Sequence, residues 1–283
     1  MARTSRTAST APASRRCRTS GNSVQKVLNA WAWVVLILAI IVGFFVVLAV
    51  FLVTVPFDRD RYLAGRMFRI VGSTCVRLNP LWTFTTDGLR IRDPRRPYVA
   101  VSNHESYADI FLISHLPWEM KWLGKEQLFK IPFLGWMMWL AGDIPVRRGT
   151  RESIVAAMND CRDKLRQRLS VMIFPEGTRS PDGALLPFKD GAFRLAIENS
   201  VPILPIVVAG TRRAMAKHTF QFQKTRAICR VLEPIETAGL TLADLGTLKQ
   251  RTRDAIEAAK ERLHVELGLG DSGEPLALGV RSA

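Results

Sequence analysis

Several features are missing from this 283-residue sequence, and each absence removes a class of function. There is no Gly-x-Ser-x-Gly elbow, which argues against a membrane-anchored serine esterase. The four cysteines, Cys17, Cys75, Cys161 and Cys229, stand at no metal-site or redox-motif spacing. A reduced, cytosol-facing protein with incidental thiols and no metal site is therefore expected. No nucleic-acid-reading module and no internal repeat is found. Acidic side chains are absent from residues 1–26, and charge of either sign is absent from residues 27–57.

What is present is basic and apolar. The formal net charge is +15 and hydrophobic residues make up 48% of the chain. Such a balance predicts anionic partners, whether phospholipid headgroups, phosphate-bearing substrates or nucleic acid, and charge alone does not choose among them. Residues 1–26 are rich in Ser, Thr, Ala and Arg, with six basic residues (Arg3, Arg6, Arg15, Arg16, Arg18 and Lys26). This composition predicts a disordered basic N-terminus.

The uncharged run 27–57 has 31 residues, roughly 46 Å as one continuous helix. That exceeds the ~20 residues of a membrane span. Trp31 and Trp33 lie at its near edge, where indoles favour a membrane interface. A signal peptide would have a shorter apolar stretch and a small-residue cleavage site, whereas this run ends in Thr54, Val55, Pro56 and Phe57. Basic clusters flank both ends, so one crossing would place one of them on the wrong side. The sequence predicts a re-entrant hairpin turning near Gly43, with the N-terminus and the following domain on the cytoplasmic face of the membrane. A single tilted span is the rival. In residues 58–82, Met67, Ile70, Val71, Thr74 and Leu78 recur at helical spacing among arginines, which predicts an amphipathic helix and completes an anchoring segment over 27–82.

From 83 onward strands alternate with helices. Strands are expected at 83–91, 97–102, 120–123, 143–147, 171–174, 202–209 and 226–234. Helices are expected near 107–116, 125–141 with a break at Pro132, 150–169, 188–199 and 241–266. The pattern predicts an α/β fold over 83–266, a largely parallel sheet flanked by helices, preceded by the membrane-embedded helical motif. Residues 267–283 are Gly-rich and are expected to form a flexible tail.

Three stretches carry chemistry. The strand Tyr98–Val101 runs into Ser102, Asn103, His104, Glu105, Ser106, Tyr107, Ala108 and Asp109. A histidine directly after a buried strand lies at the sheet edge, where α/β sites are built. On one helix the offset to Asp109 would separate the two side chains by ~140°. They meet if His104 lies in the loop and the helix starts between them. An aspartate on one imidazole nitrogen then fixes the tautomer and supports a general base. The same spacing also suits a capping aspartate beside a surface histidine.

Second, the strand Val171–Phe174 delivers Pro175, Glu176, Gly177, Thr178, Arg179 and Ser180. Proline and glycine set a tight loop, Gly177 admits a ligand close to the backbone, and Arg179 offers a fork for phosphate. Third, Gly142, Asp143, Ile144, Pro145, Val146, Arg147 and Arg148 read as a short strand ending in two arginines, with Lys125 upstream in Trp122–Leu123–Gly124–Lys125–Glu126. Basic groups at the ends of neighbouring elements can form an anion pocket.

Taken together, Asn103-His104-(four residues)-Asp109 and Phe174-Pro175-Glu176-Gly177-Thr178-Arg179 resemble the glycerolipid acyltransferase family, specifically the lysophosphatidate acyltransferases. Gly142 to Arg148 and Val201-Pro202-Ile203-Leu204-Pro205 resemble two further blocks of that family, and the likeness covers residues 62–236. Pro145 departs from it, standing where many members carry an aromatic or aliphatic residue. The resemblance implies an O-acyltransferase of phospholipid biosynthesis that gives phosphatidic acid, with His104 as base and Asp109 orienting it. It implies a substrate site of Lys125, Arg148, Glu176, Gly177, Thr178 and Arg179. Glu176 and Gly177 would shape the phosphate loop. It also implies an acyl thioester donor on coenzyme A or acyl carrier protein, a lysophospholipid acceptor, a membrane, no nucleic acid, and no cofactor beyond the thioester co-substrate. Lyso-ornithine lipid and glycerol-3-phosphate are alternative acceptors. A basic membrane-tethered nucleic-acid-binding protein is the alternative from another class.

Overall fold

The computed structural model describes residues 17–147, 149–215, 221–270 and 273. Its centre is a seven-stranded sheet in the order β1-β7-β6-β2-β5-β3-β4. The strands are β1 (Trp82–Gly88), β2 (Val99–Ser102), β3 (Met120–Lys125), β4 (Ile144–Val146), β5 (Ser170–Ile173), β6 (Ile203–Ala209) and β7 (Thr225–Val231). All pairings are parallel except β6 with β7. Strands β2, β5 and β6 are buried throughout, which is why they read as unbroken runs of Val, Ala, Met, Ile and Leu. Their side chains alternate between two cores. Val99, Val101, Val171, Ile173, Ile203 and Val207 face one. Tyr98, Ala100, Met172, Leu204, Ile206 and Val208 face the other.

The helices are α1 (Cys17–Thr54), α2 (Tyr62–Arg77), α3 (Ala108–Ile113), α4 (Glu126–Phe129), α5 (Leu134–Ala141), α6 (Arg151–Arg166), α7 (Gly191–Glu198) and α8 (Leu245–Leu267). α6, α7 and α8 cover the first core, and α3 covers the second. The break at Pro132 separates α4 from α5, since proline cannot donate to a continuing helix. α8 ends on Gly268 in the left-handed conformation, a common helix stop. Residues 1–16, and most of the tail expected beyond 267, lie outside the described residues.

The structure corrects the N-terminal expectations. α1 is one unbroken helix of 38 residues, roughly 57 Å long, so there is no hairpin. It starts at Cys17, so residues 17–26, expected to be disordered, are helical. Gly43 does not turn the chain. It lets α2 approach, and a Cβ there would lie 2.6 Å from Val71 Cγ1. A helix satisfies its own backbone groups, which a turn in lipid does not. α1 is apolar and long enough to cross a membrane over Ser23–Thr54, with a mean hydropathy of 3.4 in its most apolar window.

α1 is also docked on the domain at both ends. Near its start, Gln25 donates to Phe222 O, and Asn29 both accepts from Phe222 N and stands one turn from Trp33, whose ring meets Phe222 edge-on. Farther along, Phe44 packs on Phe133 and Trp136 of the α5 region, and Arg61 lies over Phe51.

The buried face of α2 also differs from the expected one. Ile70 and Leu78 are exposed, while Ala64, Gly65, Arg69, Ser73, Cys75 and Val76 are buried. Small residues there admit neighbouring helices, and Arg69 is drawn inward by Asp143 and Glu119.

Candidate active site

The site forms where three strands end together. β5 and β6 flank β2, with Val101 opposite Ile173 on one side and Ser102 opposite Ile206 on the other. The loops after these strands therefore meet at one edge of the sheet, as the chemistry of open α/β sheets requires. Beyond the end of β2, Asn103 prolongs the ladder with its side chain. Its amide donates to Val208 O at 2.8 Å and accepts from Val208 N at 2.9 Å.

His104 follows in the loop, and α3 begins only at Ala108. Its Nδ1 lies 2.7 Å from Asp109 Oδ2. That oxygen also accepts from Glu105 N at 2.8 Å and Ser106 N at 2.9 Å, and Thr211, just past β6, donates its hydroxyl to Asp109 Oδ1. Asp109 is fully buried, and both of its carboxyl oxygens are engaged by these contacts. The imidazole stacks on Phe174, ring centroids 4.0 Å apart and planes 17° from parallel. With Nδ1 held by the aspartate, Nε2 is the nitrogen left to exchange a proton.

The loop after β5 grips the same histidine. His104 N donates to Glu176 Oε1 at 2.8 Å, and Leu186 N donates to Glu176 Oε2 at 3.1 Å. Ser180 N donates to His104 O at 2.9 Å. Glu176 thus ties the two loops together, each carboxyl oxygen accepting from a backbone amide. Burial raises its carboxyl to about 7, against the pull of those two amides. Gly177 has φ +70°, and a Cβ there would lie 2.6 Å from Lys189 Nζ. The Arg179 guanidinium carbon lies over Tyr107, 3.8 Å from the ring centroid, so the two loops also meet at the surface. Thr178 is exposed beside it.

Lys125 ends β3 at the same edge of the sheet, exposed, and forms no ion pair among the described residues. Arg148 lies outside them. Arg147 is taken up by Glu126, with contacts of 2.7 and 3.1 Å. Among the described residues no group of His, Cys, Asp and Glu is arranged to hold a metal. Cys75, Cys161 and Cys229 are free and buried, and burial raises all three thiols.

Sequence reasoning assigned no role to Thr211, Phe174, Asn103 or Lys189. Phe174 and Asn103 lie within the quoted motifs and were within reach. Thr211 is 102 residues from Asp109 and carries no local signal.

Fold and geometry together define an α/β protein with a buried carboxylate–imidazole pair at the carboxyl ends of parallel strands, beside a glycine loop and an arginine. Comparison with known proteins gives the family. Residues 84–209 match the Acyltransferase family. The chain is 35% identical over 205 residues to human 1-acyl-sn-glycerol-3-phosphate acyltransferase beta, covering 69% of this chain and 73% of that protein. It is 32% identical over 185 residues to the Saccharomyces cerevisiae 1-acyl-sn-glycerol-3-phosphate acyltransferase, covering 64% of this chain but only 61% of the yeast protein. The crystal structure of the 1-acyl-sn-glycerophosphate acyltransferase PlsC from Thermotoga maritima has the same fold, with a TM-score of 0.69 at 24% identity over 86% of this chain and 97% of that one. The chain belongs to the glycerolipid acyltransferase family.

Proposed function

We propose that this protein transfers a fatty acyl group from an acyl thioester to the free hydroxyl of 1-acylglycerol-3-phosphate, giving phosphatidic acid. The observation that carries the reading is the 2.7 Å contact of His104 Nδ1 with buried Asp109, set beside the Gly177–Arg179 loop. His104 Nε2 takes the proton of the acceptor hydroxyl as its oxygen attacks the thioester carbonyl. The carbon–sulfur bond then breaks, and the imidazolium returns the proton to the leaving thiolate. No covalent acyl-enzyme is needed. Asp109 holds the tautomer and supports the imidazolium. Arg179 binds the acceptor phosphate with Lys125 and Arg148, and Gly177 keeps the loop open to it. The carrier is coenzyme A or acyl carrier protein.

The same reading places the protein on the membrane. α1 exposes Val27, Trp31, Val34, Leu38, Val42, Phe45, Leu52 and Val53, and α5 exposes Trp136 and Trp139. Contacts with the domain near both ends of α1 favour a helix lying along the bilayer over one that leaves the domain to cross it. The basic flanks favour the cytoplasmic face for the domain. A variant whose only thiol is Cys17 is then protected from an impermeant maleimide in intact cells, and labelling from outside overturns this topology.

The activity is tested with purified protein, a panel of lysolipid acceptors, both carriers, and product masses. Phosphatidic acid from 1-acylglycerol-3-phosphate is expected. Preference for lyso-ornithine lipid or glycerol-3-phosphate moves the acceptor, and no acyl transfer to any of them overturns the reading.

A further inference from the structure

Deep behind His104 lies a cation that the transfer step itself does not use. Lys260 is on α8, far in sequence from both site loops, and is 7% exposed. Its ammonium is 2.9 Å from Glu105 Oε1 and donates to Gly183 O. Those two contacts fall on different loops. Glu105 is the residue after His104, and its own N–H bonds Asp109 Oδ2. Gly183 belongs to the loop that carries Arg179, and its N–H bonds Ser180 Oγ at 3.0 Å. Among the described residues no neutral donor reaches the Glu105 carboxylate, and the Lys260 ammonium is its ion-pair partner.

Burying a lysine and a glutamate carries a desolvation penalty of several kcal/mol per ion, which an apolar pair of similar volume would avoid. A charged pair here is therefore informative about geometry. Glu105 stands among carboxylates: burial and Asp109 push its carboxyl up, and Lys260 pulls it down. Lys260 acts on Glu176 in the same sense.

We infer that Lys260 is a positioning residue for acyl transfer, its buried ammonium clamping the loop of the base to the loop of the phosphate site. The acceptor's hydroxyl and phosphate belong to one small molecule. The separation of His104 from Arg179 must match that molecule, and the clamp fixes it. A misplacement of about 1 Å lowers a rate by up to ~100-fold. Lys260 touches no substrate and acts through Glu105 and Gly183.

The inference rests on the acyl-transfer reading above, and wild-type protein assayed in parallel separates the two. An inactive wild type overturns that reading. An active wild type matched by an equally active Lys260→Met variant overturns the clamp alone. The expected result for Lys260→Met is a kcat lower by ~10–100-fold with the acceptor KM within about threefold, the pattern of an alignment lost in the transition state. A rise in acceptor KM as large as the loss of kcat marks general collapse of the loop and overturns the clamp. Glu105→Gln removes charge with little change of shape and is expected to act in the same direction. The double variant is expected to lose no more than the worse single one, because the two residues work as a unit. Losses that multiply overturn the pairing. If Lys260→Met does not fold, Glu105→Gln decides: lowered kcat at unchanged acceptor KM supports the clamp, and wild-type kcat refutes it.

Discussion

Asp109→Asn separates the two services that the aspartate is read as giving His104. The carboxylate is held by Glu105 N, Ser106 N and His104 Nδ1 at one oxygen and by the Thr211 hydroxyl at the other. An asparagine oxygen can keep the first three bonds, and its amide can donate to the Thr211 oxygen. The loop and the tautomer therefore survive, and the negative charge beside the imidazole is lost. With charge centres about 4 Å apart and an effective dielectric of ~20, that charge stabilises an imidazolium by about 4 kcal/mol. The corresponding loss in kcat is ~10³-fold. His104→Ala, which removes the proposed base, is expected to lose at least as much, within the ~10²–10⁴ typical of general bases. The assay follows thiol release from the acyl carrier at saturating acceptor, with thermal unfolding as the control for an intact loop. A folded Asp109→Asn variant within tenfold of wild type would show that the carboxylate charge does not support catalysis, and the electrostatic role assigned to it would be wrong.

Other consequences are open to direct measurement. Arg179→Ala is expected to raise the KM for a phosphate-bearing acceptor by ~10–100-fold, the range for one charge-assisted bond, with little effect on the donor KM; unchanged acceptor kinetics remove Arg179 from the site. Glu176 binds its proton more tightly folded, at about 7, than unfolded, at the ordinary 4.5. Its contribution to stability is complete below about 4.5 and is lost as pH rises through about 7, because the folded state then holds more proton than the unfolded one. Wild-type unfolding free energy relative to Glu176→Gln should fall across that window, and a flat difference rejects the raised value.

The sheet was legible because its central strands are buried on both faces, so their sequences are unbroken apolar runs bounded by turn residues. The His104–Asp109 approach was legible as geometry, since a helix starting between the two residues resolves their offset. The N-terminal region was not. Gly43 reads as a weak point in an isolated helix, and only the partner helix at Val71 gives its small size another purpose. Arg69 reads as part of a basic outer face, because helical spacing cannot reveal that Asp143, 74 residues later, waits beneath it. Thr211 and Lys260 are hidden for the same reason. Each is an ordinary residue locally and acquires a role only through a contact across the fold.

That buried arginine bears on how the proposed membrane anchor, α1 and α2, and the candidate site are held together. Arg69 Nη2 bonds Asp143, Arg69 Nε lies 3.6 Å from Glu119, and Lys121 Nζ lies 3.3 Å from the other Glu119 oxygen. Lys121 also donates to Arg61 O at 2.8 Å and Ala141 O at 2.6 Å, so one ammonium ties the turn before α2 to the end of α5. Gly65 makes the approach feasible, since a Cβ there would lie 2.2 Å from Glu119 Oε1. Two cations and two anions, all nearly inaccessible, thus fasten α2 to β3 and to the residue before β4. Replacing Arg69 by Met fills similar volume and leaves Asp143 buried beside the remaining charges with its counter-ion gone. Breaking such a pair from one side typically costs about 3–5 kcal/mol. Because α1 packs on α2, the loss should loosen the whole anchor. The expected result is a lower denaturant midpoint in detergent, with a further loss of activity on bilayer-embedded acceptor compared with acceptor in mixed micelles. A variant as stable as wild type and equally active on both would mean that the ionic cluster does not couple the anchor to the catalytic domain, and that apolar packing of α1 against α2 and α5 suffices.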